Sequence, residues 1–383
     1  MSNSIFIIGG EESGDSHGAS LITALKGLMP DIKVEGMGGA RMREAGLNGL
    51  DSREVSVVGV VEVIEKLPTL WRAYTALKRR LAEGRFDAVV LIDFPDFNLH
   101  IAKAAKKLGV PVIYYISPQI WAWRPGRVKT IAALVKKMLV VFPFEVEFYK
   151  KAGVDVEYVG HPLGDRVRCD LTSQEARGQL GFDKDAPVIA LLPGSRTGEV
   201  ERILPIMLQA AKRIQDGLGL GKKRAVFPII AANSVSDDLL DKHLKEQEQG
   251  GLDAPIVRDN MYPCLRAADA GIVTSGTATL ETALIGTPMV IVYRLSGLTY
   301  WIARVMVKGS YAGLPNIIAG RCIVPELMQD AAEPKAIADK ILGILKDRPL
   351  RERMILDLKE MRGKITGGAS ERAAKAIKSI IRP

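Results

Sequence analysis

Short runs of Val, Ile and Leu, separated by helical segments, constrain the fold of this chain more than any other feature. Strands that are apolar on both faces are typical of a parallel sheet with helices on both sides. The repeated order of strand, helix and strand therefore predicts an α/β protein with doubly wound sheets. Predicted strands lie at 5–8, 33–36, 88–92, 112–116, 137–141, 156–158, 188–192, 225–230, 256–257, 270–273 and 289–293.

The pattern starts a second time after the sequence GHPLG at 160–164. A chain of 383 residues is too long for one ordinary domain. We predict two Rossmann-like domains, 1–165 and 166–345, that face each other across a cleft, and C-terminal helices at 346–383 that pack back on the first domain. Such sheets bind their ligands at the carboxyl ends of the strands.

The stretch TSGTATLETALIGTP at 274–288 is a candidate nucleotide site. A Ser-Gly-Thr turn follows an apolar strand and opens a helix, whose N–H groups and dipole favour a phosphate. A carboxylate one turn further along can accept hydrogen bonds from ribose hydroxyls. The alternative is an ordinary strand–turn–helix unit in which the carboxylate complements the helix dipole. The residues concerned are Ser275, Gly276, Thr277 and Glu281.

A second turn, PGSR at 193–196, ends the first strand of the same predicted sheet. Ser195 and Arg196 can offer N–H groups and a guanidinium to a diphosphate. Asn316 and the segment 325–329 come later in the chain, and we expect them to line the same site.

The loop GGEESGD at 9–15 follows the first strand. Its glycines allow an anion or a sugar to approach the backbone closely. The loop lacks the G-x-G-x-x-G spacing, which disfavours a dinucleotide site. A plain strand-to-helix turn is the alternative. The candidate ligand contacts are Gly10, Glu11, Ser13, Gly14 and Asp15.

The sequence DFPDFN at 93–98 places two carboxylates at the end of a buried strand. Carboxylates beside aromatic side chains in a ligand cleft are candidates for base catalysis. Asp96 could instead cap the helix that follows. Our preferred interpretation gives one aspartate the cap and the other the chemistry.

The sequence SPQIWAWRPGR at 117–127 ends another strand of the first sheet. Tryptophan rings can stack on sugars, and arginines pair with phosphates. We single out Gln119, Trp121 and Arg124 as ligand contacts. The alternative is a tryptophan clasp that closes the core beneath a basic loop.

The stretch VVGVVEVIEKLPTLW at 57–71 is apolar with scattered charge. It fits either a core segment or an exposed patch that contacts acyl chains or a membrane. The residues of this candidate patch are Val60, Val61, Val63, Ile64, Leu67, Leu70 and Trp71.

The net charge of +9 suits an anionic partner, either a phosphorylated substrate or an acidic membrane surface. The sequence contains no dense basic run, which disfavours nucleic acid as the partner.

Three widely spaced cysteines fit a reducing cytosol, and the four histidines show no metal-ligand spacing, so we predict no metal site. The most apolar long window, 289–307, contains two arginines, so we predict no transmembrane helix and only peripheral membrane contact.

Taken together, these motifs resemble the lipid-A-disaccharide synthases, glycosyltransferase family 19. The resemblance covers nearly the whole chain and rests on motifs in the family's order. Small departures occur at Gly9, Met37 and Phe94, and none removes a polar group. The motifs are GGEESGDSHGA, GMGGARM, VVGVVEV, DFPDFN, SPQIWAWRPGR, FPFE, GHPL, LLPGSR, SGTATLE, GTPMVIVYR, LPNIIAGR and VPELMQ.

The resemblance implies a GT-B fold and an inverting hexosyltransferase of Gram-negative lipid A biosynthesis. Such an enzyme joins UDP-2,3-diacylglucosamine to 2,3-diacylglucosamine 1-phosphate (lipid X), and forms a β(1→6) disaccharide and UDP without a cofactor or metal. The second domain then binds UDP, with Glu281 on the ribose, and the first domain binds the acceptor. Asp96 is the expected base and Asp93 the reserve. The resemblance also implies peripheral attachment to the cytoplasmic face of the inner membrane; a homodimer is left open.

Three alternatives remain at this point. A UDP-sugar 2-epimerase shares the two-domain fold and would invert C2 of its substrate without an acceptor. A non-catalytic nucleotide- and lipid-binding peripheral protein would bind UDP without turnover. An NAD-dependent oxidoreductase is disfavoured by the poor glycine fingerprint.

Overall fold

A computed structural model describes residues 3–10, 12–52, 60–118, 120–123, 125–219, 224–246, 251–294 and 311–381. At residues 12, 60–67, 122–123, 125 and 246 only the backbone is described. The chain divides into two compact units. The first is Met1–Asp165 together with Ile365–Pro383, and the second is Arg166–Lys364.

The first unit is built on a seven-stranded parallel sheet with the order β3-β2-β1-β4-β5-β6-β7. The chain order reverses between β1 and β4, so the crevice of a doubly wound sheet lies at the carboxyl ends of these two strands. The strands are β1 (Ser4–Gly9), β2 (Lys33–Gly38), β3 (Asn48–Asp51), β4 (Ala88–Ile92), β5 (Val112–Tyr115), β6 (Lys137–Val140) and β7 (Val156–Tyr158).

Helices cover the strands of this unit, and apolar side chains from both layers form its core. Every residue of β4 is buried, as expected for a central parallel strand. Fully burying each Val, Leu or Ile side chain contributes about 1.5–3 kcal/mol. The helices are Glu12–Leu28, Ala40–Glu44, Val60–Glu83, Pro95–Lys107, Ile120–Trp123, Val128–Leu134, Pro143–Lys150, Leu163–Arg166, which ends on the first residue of the second unit, and Ala369–Ile381, with a 3-10 turn at Pro125–Arg127.

The final helix, Ala369–Ile381, packs against the first, Glu12–Leu28, within the first unit. Lys378 Nζ donates to the carbonyl oxygen of Leu28 at 3.3 Å, which satisfies an acceptor at the end of that helix. The preceding helix, Arg348–Gly363, belongs to the second unit. The segment 346–383 is therefore shared between the two units.

The second unit contains a six-stranded parallel sheet with the order β10-β9-β8-β11-β12-β13. Its switch point lies between β8 and β11. The strands are β8 (Ile189–Leu192), β9 (Ile229–Ile230), β10 (Ile256–Val257), β11 (Ala270–Thr274), β12 (Met289–Tyr293) and β13 (Glu326–Met328). The helices are Ser173–Leu180, Thr197–Leu218, Asp237–Glu246, Met261–Ala267, Thr277–Ile285, Leu314–Ala319, Pro334–Lys346 and Arg348–Gly363, with a 3-10 turn at Gln329–Ala331.

The two doubly wound sheets confirm the predicted fold class, and the strand limits differ for local reasons. β5 ends one residue early because Ile116 has φ 62°, outside the β region. The strand predicted at 225–230 shortens to Ile229–Ile230 with an isolated bridge at Val226, because Pro228 has no N–H for the ladder. The sequence analysis missed β3 and β13, which are short and lack a run of β-branched residues. No helix that the structure describes is both long and apolar enough to cross a bilayer.

Candidate active site

The two predicted phosphate turns of the second unit leave its sheet side by side. Leu192 of β8 pairs with Val273 of β11, so the turns at 193–196 and 275–277 begin at neighbouring strand ends. Such strands lie about 4.8 Å apart. The turns therefore flank the switch point, where doubly wound sheets bind nucleotides.

Both turns lead into a helix whose N-cap residue gives no side-chain cap within the part of the chain that the structure describes. The N-cap residues, Arg196 of helix Thr197–Leu218 and Gly276 of helix Thr277–Ile285, make no side-chain capping hydrogen bond. Gly276 has φ 152°, and among the described residues other than its chain neighbours no atom lies within 4 Å of the position that a Cβ would take. Uncapped backbone N–H groups beside open space suit a phosphate.

The side chains beside these turns are accessible. Ser195, Arg196 and Thr277 are exposed and Ser275 is half-buried, its Oγ donating to the carbonyl oxygen of Ala312 at 3.3 Å. Among the described residues Arg196 pairs with Glu199 alone, at 3.4 Å, a surface contact of at most about 1 kcal/mol. A diphosphate could replace that partner at little cost.

Glu281 is 8% exposed and lies in the helix Thr277–Ile285. Its Oε1 accepts hydrogen bonds from Arg166 Nη2 and from Tyr262 Oη, both at 2.9 Å. These donors satisfy the buried charge, which would be costly without partners. The sequence analysis missed both because they lie far from Glu281 in the chain and in no nucleotide motif.

Asn316 occupies a different environment from the ligand contact that we expected. It is completely buried, and its Nδ2 donates to Val324 O at 2.8 Å and to Glu326 Oε1 at 2.7 Å. Its Oδ1 accepts from the N–H groups of Ile323 and Val324. Both donors and both acceptor positions are thus used inside the protein. Asn316 shapes the loop rather than offering a free polar group to a ligand.

In the first unit, the predicted loops again meet at the switch point. Gly9 pairs with Ile92, and a Cβ on Gly10 would lie 2.3 Å from the ring of Phe94. Asp93 and Phe94 both have positive φ, 45° and 47°. Left-handed conformations of non-glycine residues cost about 1–3 kcal/mol each and concentrate at functional sites.

Two side chains hold this strained turn. Asn98 Nδ2 donates to the carbonyl oxygen of Asp93 at 2.7 Å, and Tyr114 Oη donates to the same oxygen at 2.6 Å. Burial raises the pKa of Tyr114, so its hydroxyl keeps its proton and remains a donor. The position of the Asp93 backbone is therefore fixed from two sides.

The helix after this turn begins at Pro95, and its N-cap is Phe94. Asp96 is therefore not the cap that we considered, because proline takes the first helical position and the cap falls at Phe94, two residues before Asp96. The Asp96 side chain is 75% exposed and forms an ion pair with Arg127. This pair joins the first turn of the helix Pro95–Lys107 to the 3-10 turn Pro125–Arg127.

The remaining contacts predicted in the first unit differ in availability. Ser13 is exposed, and Gly14 is buried against Gly9. Asp15 is buried, and its two oxygens accept from the N–H groups of Arg41 and Met42, so it caps the helix Ala40–Glu44. Glu11, Gln119 and Arg124 lie outside the described residues.

Trp121 packs into a cluster whose other members, Phe144 and Glu145, the sequence analysis did not identify. Its Nε1 donates to Glu145 Oε1 at 3.2 Å, and its ring contacts that of Phe144 edge to face. Glu145 Oε2 accepts from the N–H of Phe142 at 3.1 Å. Burial raises the pKa of Glu145 to about 7, against the opposing effect of these hydrogen bonds. The signal in the sequence was the motif FPFE, whose glutamate gave no indication of burial.

The candidate membrane patch is only partly described. Trp71 is 69% exposed at the surface, and Leu70 is half-buried. The exposed side chains of Arg72, Lys78 and Arg79 follow on the same helix. The side chains of Val60, Val61, Val63, Ile64 and Leu67 lie outside the described residues.

Comparison with known sequences gives full-length matches. A family model described as lipid-A-disaccharide synthetase matches residues 5–380. The lipid-A-disaccharide synthase of Myxococcus xanthus (strain DK1622) is 43% identical over 99% of this chain and 98% of its own length. That of Trichlorobacter lovleyi is 45% identical, with 96% and 94% covered.

Solved structures resemble the chain at much lower identity. A putative UDP-N-acetylglucosamine 2-epimerase from Listeria monocytogenes has a TM-score of 0.65 at 12% identity, covering 99% of this chain and 96% of its own. MurG from Acinetobacter baumannii has a TM-score of 0.59 at 15% identity, with 99% and 100% covered. Identities this low show the fold alone, the two-sheet GT-B architecture.

Proposed function

The chain belongs to the lipid-A-disaccharide synthetase family. From this membership we propose that the second unit binds the donor and the first unit binds the acceptor of one glycosyl transfer. The protein is a hexosyltransferase of lipid A disaccharide formation. Its donor is UDP-2,3-diacylglucosamine and its acceptor is 2,3-diacylglucosamine 1-phosphate. The products are the β(1→6) disaccharide 1-phosphate and UDP.

The second unit binds the donor. The N–H groups at the starts of helices Thr197–Leu218 and Thr277–Ile285 receive the diphosphate, together with Ser195 and Arg196. Ser275, Gly276 and Thr277 complete that contact, and Glu281 accepts from the ribose. Fixed N–H dipoles and a guanidinium stabilise the negative charge that develops on the leaving UDP. Asn316 supports the adjacent loop through Glu326.

The first unit binds the acceptor and supplies the base. The acceptor 6-hydroxyl attacks the donor C1, and the bond from C1 to the diphosphate oxygen breaks with inversion. The hydroxyl proton passes to the Asp96 carboxylate, while the electron pair of the broken bond leaves on UDP. Arg127 orients that carboxylate. Asp93, whose backbone is held in a strained turn, is the reserve candidate.

The acceptor contacts are Ser13 and Trp121, together with Glu11, Gln119 and Arg124, while the buried Gly10 and Gly14 shape the loop that carries Ser13. Asp15 acts indirectly, by fixing the helix Ala40–Glu44 beside the glycine loop. Trp121 presents to the sugar only the ring surface that Phe144 leaves uncovered.

The protein attaches peripherally to the cytoplasmic face of the inner membrane through the patch around Trp71. An exposed tryptophan followed by three cations is typical of a side chain at the interface of an anionic bilayer. Each cation near such a surface contributes about 1 kcal/mol. A homodimer is compatible with this attachment.

The observation that carries the proposal is the pair of uncapped helix starts at the switch point of the second sheet. The test incubates purified protein with UDP-diacylglucosamine and lipid X. We expect equal amounts of disaccharide and UDP. Turnover of the donor without any disaccharide would reject the assignment.

The 2-epimerase alternative rests on fold similarity at 12% identity. Labelled UDP-sugar without acceptor separates the two activities. We expect no C2 inversion, since the family match is full-length and the epimerase match shows only the fold.

A further inference from the structure

We propose that Tyr262 and Arg166 are positioning residues that aim the Glu281 carboxylate at the donor ribose. The inference rests on the proposed function, because it takes the ribose as the ligand of Glu281. Neither side chain belongs to the phosphate turns. Both act through Glu281 rather than through the reacting atoms.

The geometry of the carboxylate carries the inference. Both hydrogen bonds to the Glu281 side chain end on the same oxygen, Oε1, at 2.9 Å each. Among the residues that the structure describes, none donates to Oε2. An oxygen with two donors is fixed in place, and the second oxygen of the same rigid group is fixed with it. Oε2 is thus set to accept from a hydroxyl.

The two hydrogen-bond donors, Arg166 and Tyr262, have different roles. Arg166 supplies the opposite charge that a buried carboxylate needs. Tyr262 supplies direction, because a phenol has only two side-chain torsions and its helix, Met261–Ala267, packs against the helix of Glu281. Burial, and then the charge of Glu281, raises the pKa of Tyr262 to about 12, so the phenol stays a donor at neutral pH.

Because Glu281 is already oriented, nucleotide binding has a smaller entropic cost. A glutamate side chain has three torsions, and ordering it when the nucleotide arrives would weaken the complex. A ribose hydroxyl that donates to a preset carboxylate forms a charge-assisted hydrogen bond. Removing the phenol hydroxyl leaves Glu281 with one donor and a wider range of orientations. The competing explanation is that the donors only satisfy a buried charge and leave ligand binding unaffected.

A ligand series separates these explanations. Calorimetric titrations of the full-length protein use UDP, 2′-deoxy-UDP and 3′-deoxy-UDP. We expect Tyr262→Phe to weaken the binding of UDP about tenfold. The same variant should change the affinity by less than twofold for the analogue that lacks the contacted hydroxyl. Arg166→Lys shortens the exposed side chain that donates a hydrogen bond to Glu281, and this variant should follow the same pattern.

Two further variants complete the design. Glu281→Gln should lose the same discrimination between UDP and the deoxy analogue. Tyr158→Phe, which removes a hydroxyl that accepts from Thr366 N in the first unit, is the matched control and should leave UDP affinity unchanged.

Unchanged UDP affinity in Tyr262→Phe would overturn the inference, as would an equal loss for UDP and both analogues. Failure of the proposed function has a different signature. In that case the wild-type protein binds no UDP, or Glu281→Gln binds all three ligands as the wild type does.

Discussion

Asp96 and Asp93 lie three residues apart yet occupy different surroundings. The Asp96 side chain is exposed and ion-paired with Arg127, whereas Asp93 is half-buried and its backbone has φ 45°. An accessible carboxylate at the end of a strand can take a proton and release it to water. This difference is why we favour Asp96 as the base.

Asp96→Asn should lower kcat about 10²- to 10⁴-fold, because the amide cannot accept the hydroxyl proton. Steady-state kinetics with both lipid substrates measures this loss. Asp155→Asn is the control, since Asp155 is also an exposed carboxylate near a cation, Lys137 at 3.8 Å. Full activity in Asp96→Asn together with a large loss in Asp93→Asn would transfer the role of base to Asp93.

Glu145 should make the stability of the first unit depend on pH. Its folded pKa is about 7, above the ordinary 4.5, because burial disfavours the carboxylate. The folded state therefore holds the proton more tightly, and the resulting stability is fully present below pH 4.5 and lost as pH rises through 7. A shift of this size corresponds to about 3 kcal/mol.

Urea unfolding of the wild type and of Glu145→Gln at pH 4.5 and pH 8 measures the effect. The neighbouring hydroxyls, Ser117 and Tyr149, do not titrate across this range; burial raises the pKa of Tyr149 further. We expect the free energy of unfolding of the wild type to fall relative to that of the variant as pH rises. Parallel pH profiles would show that Glu145 does not titrate in this range.

At the scale of elements, the sequence predicts the sheets better than the contacts between them. Runs such as Ala88–Ile92 identify buried parallel strands directly, and the glycine-containing turns mark the strand ends where ligands bind. Pairs distant in the chain, such as Arg166 with Glu281, leave no periodic signal because tertiary packing alone brings them together. For the same reason, the sequence did not indicate that Asn316 is buried, since its hydrogen-bond partners depend on how β13 joins the edge of the sheet.

The turn at Gly276 is predicted to tolerate no side chain, because φ 152° is accessible only to glycine. Gly276→Ala should distort the N–H groups that receive the diphosphate and weaken UDP about tenfold, as measured by calorimetry. The backbone strain itself costs about 1–3 kcal/mol of stability.

Gly286→Ala is the matched control for that turn. Gly286 ends the same helix with φ 90°, and a Cβ there would likewise meet no atom of the described residues within 4 Å, its chain neighbours aside. The control should lose stability but keep its UDP affinity. Equal UDP affinities in the two variants would show that the turn at Gly276 does not bind the diphosphate.

For the whole molecule, the net charge of +9 and the exposed Trp71 support the proposed attachment to an anionic membrane surface. Trp71→Ser should reduce co-sedimentation with phosphatidylglycerol vesicles about tenfold, because the indole no longer enters the interface. Leu356→Ser is the control, since Leu356 is 64% exposed and belongs to a helix of the second unit, whereas Trp71 belongs to the first. Unchanged vesicle binding of Trp71→Ser would remove the patch from membrane attachment.

Full-length family membership and two doubly wound sheets make this molecule a GT-B glycosyltransferase of lipid A disaccharide formation. We propose a single inverting displacement at the donor C1, with UDP held by the second unit. The anomeric configuration of the purified disaccharide, measured by NMR after reaction of the α-linked UDP donor with lipid X, tests it most directly. We predict a β linkage with one UDP released per disaccharide; an α linkage, or UDP release without disaccharide, would contradict it.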